Sequence, residues 1–72
     1  MVRIYLPPRE HGPPQVHVVK GDGEVKIHLG STATPPTIER VFEMRDADVV
    51  RAYRIVLNRQ RDLLEKWREY HG

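Results

Sequence analysis

From Asp46 to His71 the chain runs without a glycine or a proline, so more than a third of its 72 residues reads as one uninterrupted helix. Within that run Val49, Tyr53, Val56, Leu63, Trp67 and Tyr70 recur at alternating steps of four and three, missing only Gln60, with Val50, Leu57 and Leu64 on the same side. The spacing predicts a helix over about 47–70, with Asp46 as its N-cap and Asp48 in the first turn near the positive end of the helix dipole. Such a stripe must be buried against a second layer. Gln60 stands inside it, where an amide is costly unless satisfied, and is expected to bond a strand-end or loop backbone group.

The preceding residues supply the layer. Val2, Ile4 and Leu6 alternate with Arg3 and Tyr5, which predicts a strand over 2–6 ended by Pro7 and Pro8. Arg9-Glu10-His11-Gly12-Pro13-Pro14 reads as an extended crossing. Val16 and Val18, then Val25, Ile27 and Leu29, flank Gly21-Asp22-Gly23-Glu24 and predict a hairpin with strands at 15–20 and 24–29. An Asp22-Gly23 turn sets Val18 opposite Ile27, Val16 opposite Leu29 and His17 opposite His28, keeping apolar residues on one face. The turn-rich stretch from Gly30 to Pro36 is expected to be the most mobile, and a fourth strand is placed at 40–45. The fold class is α+β: a three- to four-stranded antiparallel sheet, covered on one face by one long C-terminal helix, in a single domain over 1–72.

At ~1.5 Å per residue the helix spans ~37 Å, against ~29 Å for a compact domain of this size, so part of the stripe overhangs. The end bearing Trp67 and Tyr70, or the end bearing Val49, is expected to meet a second copy or a cognate partner protein. The need is real: a domain this small has a modest core, and with no cysteine it has neither disulfides nor a thiolate metal site. Met1 to Leu6 is too short and too polar for a signal-peptide core, and no apolar run approaches a membrane span. Net charge is only +2, with basic and acidic residues spread evenly on both sides of Asp46, so any cationic patch must be made by folding.

Burying Ile4, Val16, Val18, Val25 and Ile27 forces Arg3, Tyr5, His17, Val19, Lys26 and His28 onto the other face. Two imidazoles with cationic neighbours are what acid-base cleavage of a phosphodiester needs, which makes His17 and His28 catalytic candidates and Arg3, Tyr5 and Lys26 binding candidates. The same residues also read as the solvent face of a two-layer sheet. His11, in the proline loop, could join His17 and His28 as ligands of a divalent metal such as zinc or nickel, although the spacing is not a known metal signature and no cofactor is required. On the helix, Arg54, Arg61 and Arg68 recur every seven residues behind Arg51, a ridge able to track phosphates. Glu65 interrupts it, and the Asp62–Lys66 and Glu65–Arg68 spacings suit a solvated, ion-paired surface instead.

The order Glu10-His11-Gly12-Pro13-Pro14, Val16-His17-Val18, Gly23-Glu24-Val25-Lys26-Ile27, then Gln60, Leu63-Leu64-Glu65-Lys66-Trp67 and His71-Gly72 resembles the small bacterial family called domain of unknown function 4160. The likeness covers nearly the whole chain. Two places depart from the family pattern: Gln15 stands where a histidine is common, and Arg59 fills one side of a polar pair around Gln60. The resemblance implies a bacterial or phage origin, a cytoplasmic location and a component of a toxin–antitoxin module acting by RNA or protein contact. It implies no demonstrated activity, so whether the chain is an enzyme stays open. A non-enzymatic protein-interaction module and a His-based metal-binding protein are the alternatives.

Overall fold

A computed structural model describes residues 2–5 and 13–71, apart from the side chains of Val2, Tyr70 and His71. Four strands form one antiparallel sheet in sequence order: β1 (Val2–Tyr5), β2 (Gln15–Lys20), β3 (Gly23–His28) and β4 (Thr37–Phe42). Two helices follow, α1 (Asp46–Asn58) and α2 (Gln60–His71). The α+β class and the antiparallel sheet expected from the sequence are present, with the helix divided in two. Among the described residues no helix is long and apolar enough to cross a membrane.

The hairpin keeps its two-residue loop but turns one residue earlier than expected. Lys20 pairs with Gly23, which places Val18 opposite Val25, Val16 opposite Ile27 and His17 opposite Lys26. Gly21 is the reason: it takes φ +58°, the left-handed value that a II′ turn requires at its first central position. Gly23 is freed to be a strand residue, where a Cβ would run into the Glu43 carbonyl. The shift moves every partner by two, so the faces survive.

The fourth strand lies at Thr37–Phe42 instead of 40–45. Glu43, at φ +46°, turns the chain out of the sheet, and Met44 packs against the core beyond it. Arg45, not Asp46, is the N-cap; it makes no side-chain cap bond, and Asp46 and Asp48 both occupy the first turn. The Lys20 ammonium donates to Asp48 Oδ1 at 2.7 Å, and this bond holds the carboxyl below its ordinary range.

The helix breaks at Arg59, next to Gln60, the one gap in the apolar stripe. The Arg59 N–H is shared between Ile55 O (3.1 Å) and Val56 O (3.2 Å), and the next residue, Gln60, aims its amide out of the helix. Gln60 Nε2 approaches Leu29 O at 2.6 Å, Ser31 O at 2.8 Å and Thr34 O at 2.9 Å. An amide has two hydrogens, so one is shared. The backbone-anchoring role expected of Gln60 is the one observed. The stretch expected to be most mobile carries further bonds: Tyr53 Oη donates to Pro36 O at 2.7 Å, and Ser31 and Thr34 bond one another through their backbones.

The break also removes the expected overhang at Trp67. Divided at Arg59, the helical run fits a molecule whose extents are 33 × 25 × 19 Å. Leu63, Leu64 and Trp67 are buried, and Val49 packs against the core of Val16, Val18, Val25, Ile27, Leu29, Ala52 and Val56.

Candidate functional site

The helices cover one face of the sheet, and the other displays three cross-strand rows. The first is Arg3, Val19, Glu24 and Phe42; the second is Tyr5, His17, Lys26 and Arg40; the third is Gln15, His28 and Thr37. The middle row crosses all four strands with a phenol, an imidazole, an ammonium and a guanidinium in turn. Arg3, Tyr5, His17, Lys26 and His28 thus share one face, as the alternation requires.

Glu39 enters this surface through a bulge. Lys26 pairs with Arg40 and Ile27 with Ile38, which leaves Glu39 as the extra residue on β4. Where two residues oppose one, the alternation slips, and Glu39 and Arg40 follow one another on the outer face. Both line a half-open depression of about 550 Å³ together with His17, Glu24, Lys26 and Phe42.

Each histidine is held by a carboxylate. His17 Nδ1 donates to Glu24 Oε1 at 2.7 Å, and His28 Nε2 donates to Glu39 Oε2 at 2.9 Å. Lys26 Nζ lies 3.4 Å from the same Glu39 oxygen. Half-exposed pairs of this kind add little stability, about 0–1 kcal/mol each, so their effect is on orientation. A ring fixed through one nitrogen presents the other at a defined place, the logic by which a carboxylate positions an acid-base histidine. Among the described residues His17 Nε2 and His28 Nδ1 meet no hydrogen-bond partner.

The remaining candidates lie elsewhere. Arg54, Arg61 and Arg68 are exposed on the helical layer, away from the histidines. The break at Arg59 separates Arg54 from the other two, so the heptad ridge is not one helical row. His11 lies outside the described residues, so the structure describes two of the three suggested metal ligands. Among the described residues no three histidine, aspartate or glutamate side chains gather to hold a metal.

Sequence reasoning missed Glu24, Glu39, Arg40 and Phe42. Glu24 shares the parity of Lys26 and was there to be found by alternation. Glu39 and Arg40 were not, since no residue pattern announces the bulge. Gln15, only 7% exposed, occupies the β2 position opposite His28 and is the one polar side chain of the described residues that is buried.

These features define a class: a small two-layer α+β domain with helices on one face of an antiparallel sheet and a polar, histidine-bearing surface on the other. Within that class the chain belongs to the family described as Domain of unknown function (DUF4160), whose model matches residues 1–68. No curated protein and no solved structure matches it.

Proposed function

We propose that the uncovered sheet face is the working surface and that it engages the phosphodiester backbone of RNA, as one component of a two-gene toxin–antitoxin module. The observation that carries this reading is the middle row, Tyr5, His17, Lys26 and Arg40, which sets a stackable ring and two cations beside an oriented imidazole. Lys26 and Arg40 suit a phosphate. In a cleavage step one histidine takes the proton of a ribose 2′-hydroxyl as its oxygen attacks phosphorus, and the other protonates the departing 5′-oxygen. His17 and His28 lie diagonally on neighbouring strands, roughly 7–8 Å apart at the backbone, a separation that a scissile phosphate fits between.

The test is cleavage of single-stranded RNA in the presence of a chelator by a His17→Ala, His28→Ala double variant. Cleavage is expected to vanish while the circular dichroism of the folded chain is kept. Unchanged cleavage would remove both residues from the mechanism. A Lys26→Ala, Arg40→Ala variant is expected to weaken binding evenly across RNA sequences and to flatten its salt dependence.

A second reading, a non-enzymatic protein-interaction module, is favoured by a different observation. Ile38 and Val41, the inward residues of β4, and Val50 and Leu57 of α1 are large apolar side chains left exposed on the helical side of the sheet. Binding of a neighbouring gene's product that survives loss of both histidines supports that reading. The metal-binding reading needs His11 beside His17 and His28, and elemental analysis of protein purified without a His tag tests it.

A further inference from the structure

The edge strand β4 differs from the rest of the sheet. All six of its residues are exposed, and among the described residues no strand pairs with its outer edge. Its inward residues Ile38 and Val41 are 44% and 45% exposed. Helix α1 continues the bare surface, because Val50 and Leu57 flank Tyr53 by one turn on either side and Tyr53 reaches Pro36 at the entry to β4. An unpaired edge beside an apolar strip is a template for another strand.

The bulge makes one self-pairing register possible. With Glu39 and Arg40 both turned outward, the faces of Thr37 to Phe42 run outer, inner, outer, outer, inner, outer. That order reads the same in both directions. A second β4 laid antiparallel along the free edge therefore matches face for face, with Thr37 opposite Phe42, Ile38 opposite Val41 and Glu39 opposite Arg40. A strand without the bulge fails in this register, since reversed alternation sets every inward residue against an outward one. Both copies carry the extra residue at the same point, so around a two-fold axis two residues oppose two. Charge agrees as well: each Glu39, whose Oε2 also holds His28 and Lys26 of its own chain, is set beside an arginine.

We propose that β4 is the interface of a homodimer, in which two four-stranded sheets join edge to edge and the Ile38, Val41, Val50 and Leu57 strips of both copies meet on the helical side. On the other side Arg40 of the partner subunit lies beside Glu39, and the two histidine-bearing surfaces become one. The inference does not depend on RNA cleavage, because molecular mass and cleavage are read separately.

Light scattering across a dilution series tests it. The unaltered chain is expected to show twice its monomer mass at high micromolar concentration and to fall toward the monomer on dilution. Arg40→Glu sets carboxylate against carboxylate twice and is expected to raise the dissociation constant roughly tenfold or more. Exchanging the pair, Glu39→Arg with Arg40→Glu, reverses both members of each contact and is expected to restore the dimer. Val41→Lys, which leaves the outer face untouched, is expected to give a monomer that keeps its circular dichroism. A monomer at every concentration overturns the proposal. So does a dimer indifferent to both Arg40→Glu and Val41→Lys, or an exchange that restores nothing.

Discussion

Strands β3 and β4 have the same length and each turns two aliphatic residues, one valine and one isoleucine, toward the helical side, yet one is the centre of the core and the other is bare. In β3, Val25 and Ile27 point inward and are fully buried; in β4, Ile38 and Val41 point the same way and remain nearly half exposed. The difference comes from neighbours. β3 lies between β2 and β4 and beneath α1, whereas β4 has one strand beside it and packs little against either helix. Alternation reports which way a side chain points, and the placement of the second layer decides whether water reaches it.

The comparison can be broken at its centre. Ile27→Ala is expected to cost about 2–5 kcal/mol, as buried aliphatic truncations do. Ile38→Ala, tested at a dilution where the chain is monomeric, is expected to cost about 0.5 kcal/mol or less. Urea denaturation of the two variants checks the contrast, and equal losses would mean that β4 is covered after all.

The joint between the two strands gives the next effect. Gly23→Ala drives a methyl group into the Glu43 carbonyl just past β4, and backbone cannot yield as a flexible side chain does. A loss of about 1–3 kcal/mol is expected, with amide shifts in NMR spectra centred on residues 42–45. Helix placement can be loosened separately. Gln60→Ala leaves three carbonyls without their donor and is expected to cost about 1–3 kcal/mol, with faster amide hydrogen exchange confined to 29–36 and α2.

The smallest effect is expected at the tie between β2 and α1. Lys20 holds the Asp48 carboxyl below its ordinary value of 3.8 in the folded chain, chiefly by its hydrogen bond. The folded state then resists protonation more than the unfolded state, so this contribution is present above that value and is lost as pH falls through the lower folded one. Lys20→Met removes it. Thermal melting from neutral pH to below pH 3.8 should show a shallower acid decline in the variant, and parallel curves would deny the tie any role.

Much of this architecture was legible in the residues. The alternation of Val16, Val18, Val25 and Ile27 gave the correct faces even though the turn was placed one residue late, because a shift of two in pairing conserves parity. Gln60 was read correctly as an anchor, but the helix break beside it was not foreseen, since a polar residue in a stripe carries no sign of how far its amide must reach. The site was legible only in part. Local periodicity puts His17, Lys26 and His28 together, while Glu39 and Arg40 arrive through an irregularity between strands that only pairing with β3 defines. The bare strip on β4 was invisible for a related reason: its residues look like core, and their exposure depends on where α1 lies.

The Gln60 amide also bears on how the chain assembles. Its three acceptors lie 31, 29 and 26 residues earlier, so the segment after β3 cannot take its final shape until a residue far along the chain has arrived. Closing so wide a loop is slow compared with making a hairpin turn. The β2–β3 hairpin is therefore expected to form early from local contacts, and the ordering of 29–36 and the seating of α2 are expected to follow together. A peptide ending before Gln60 would lack the donor that completes the first of these and could stop with the hairpin alone.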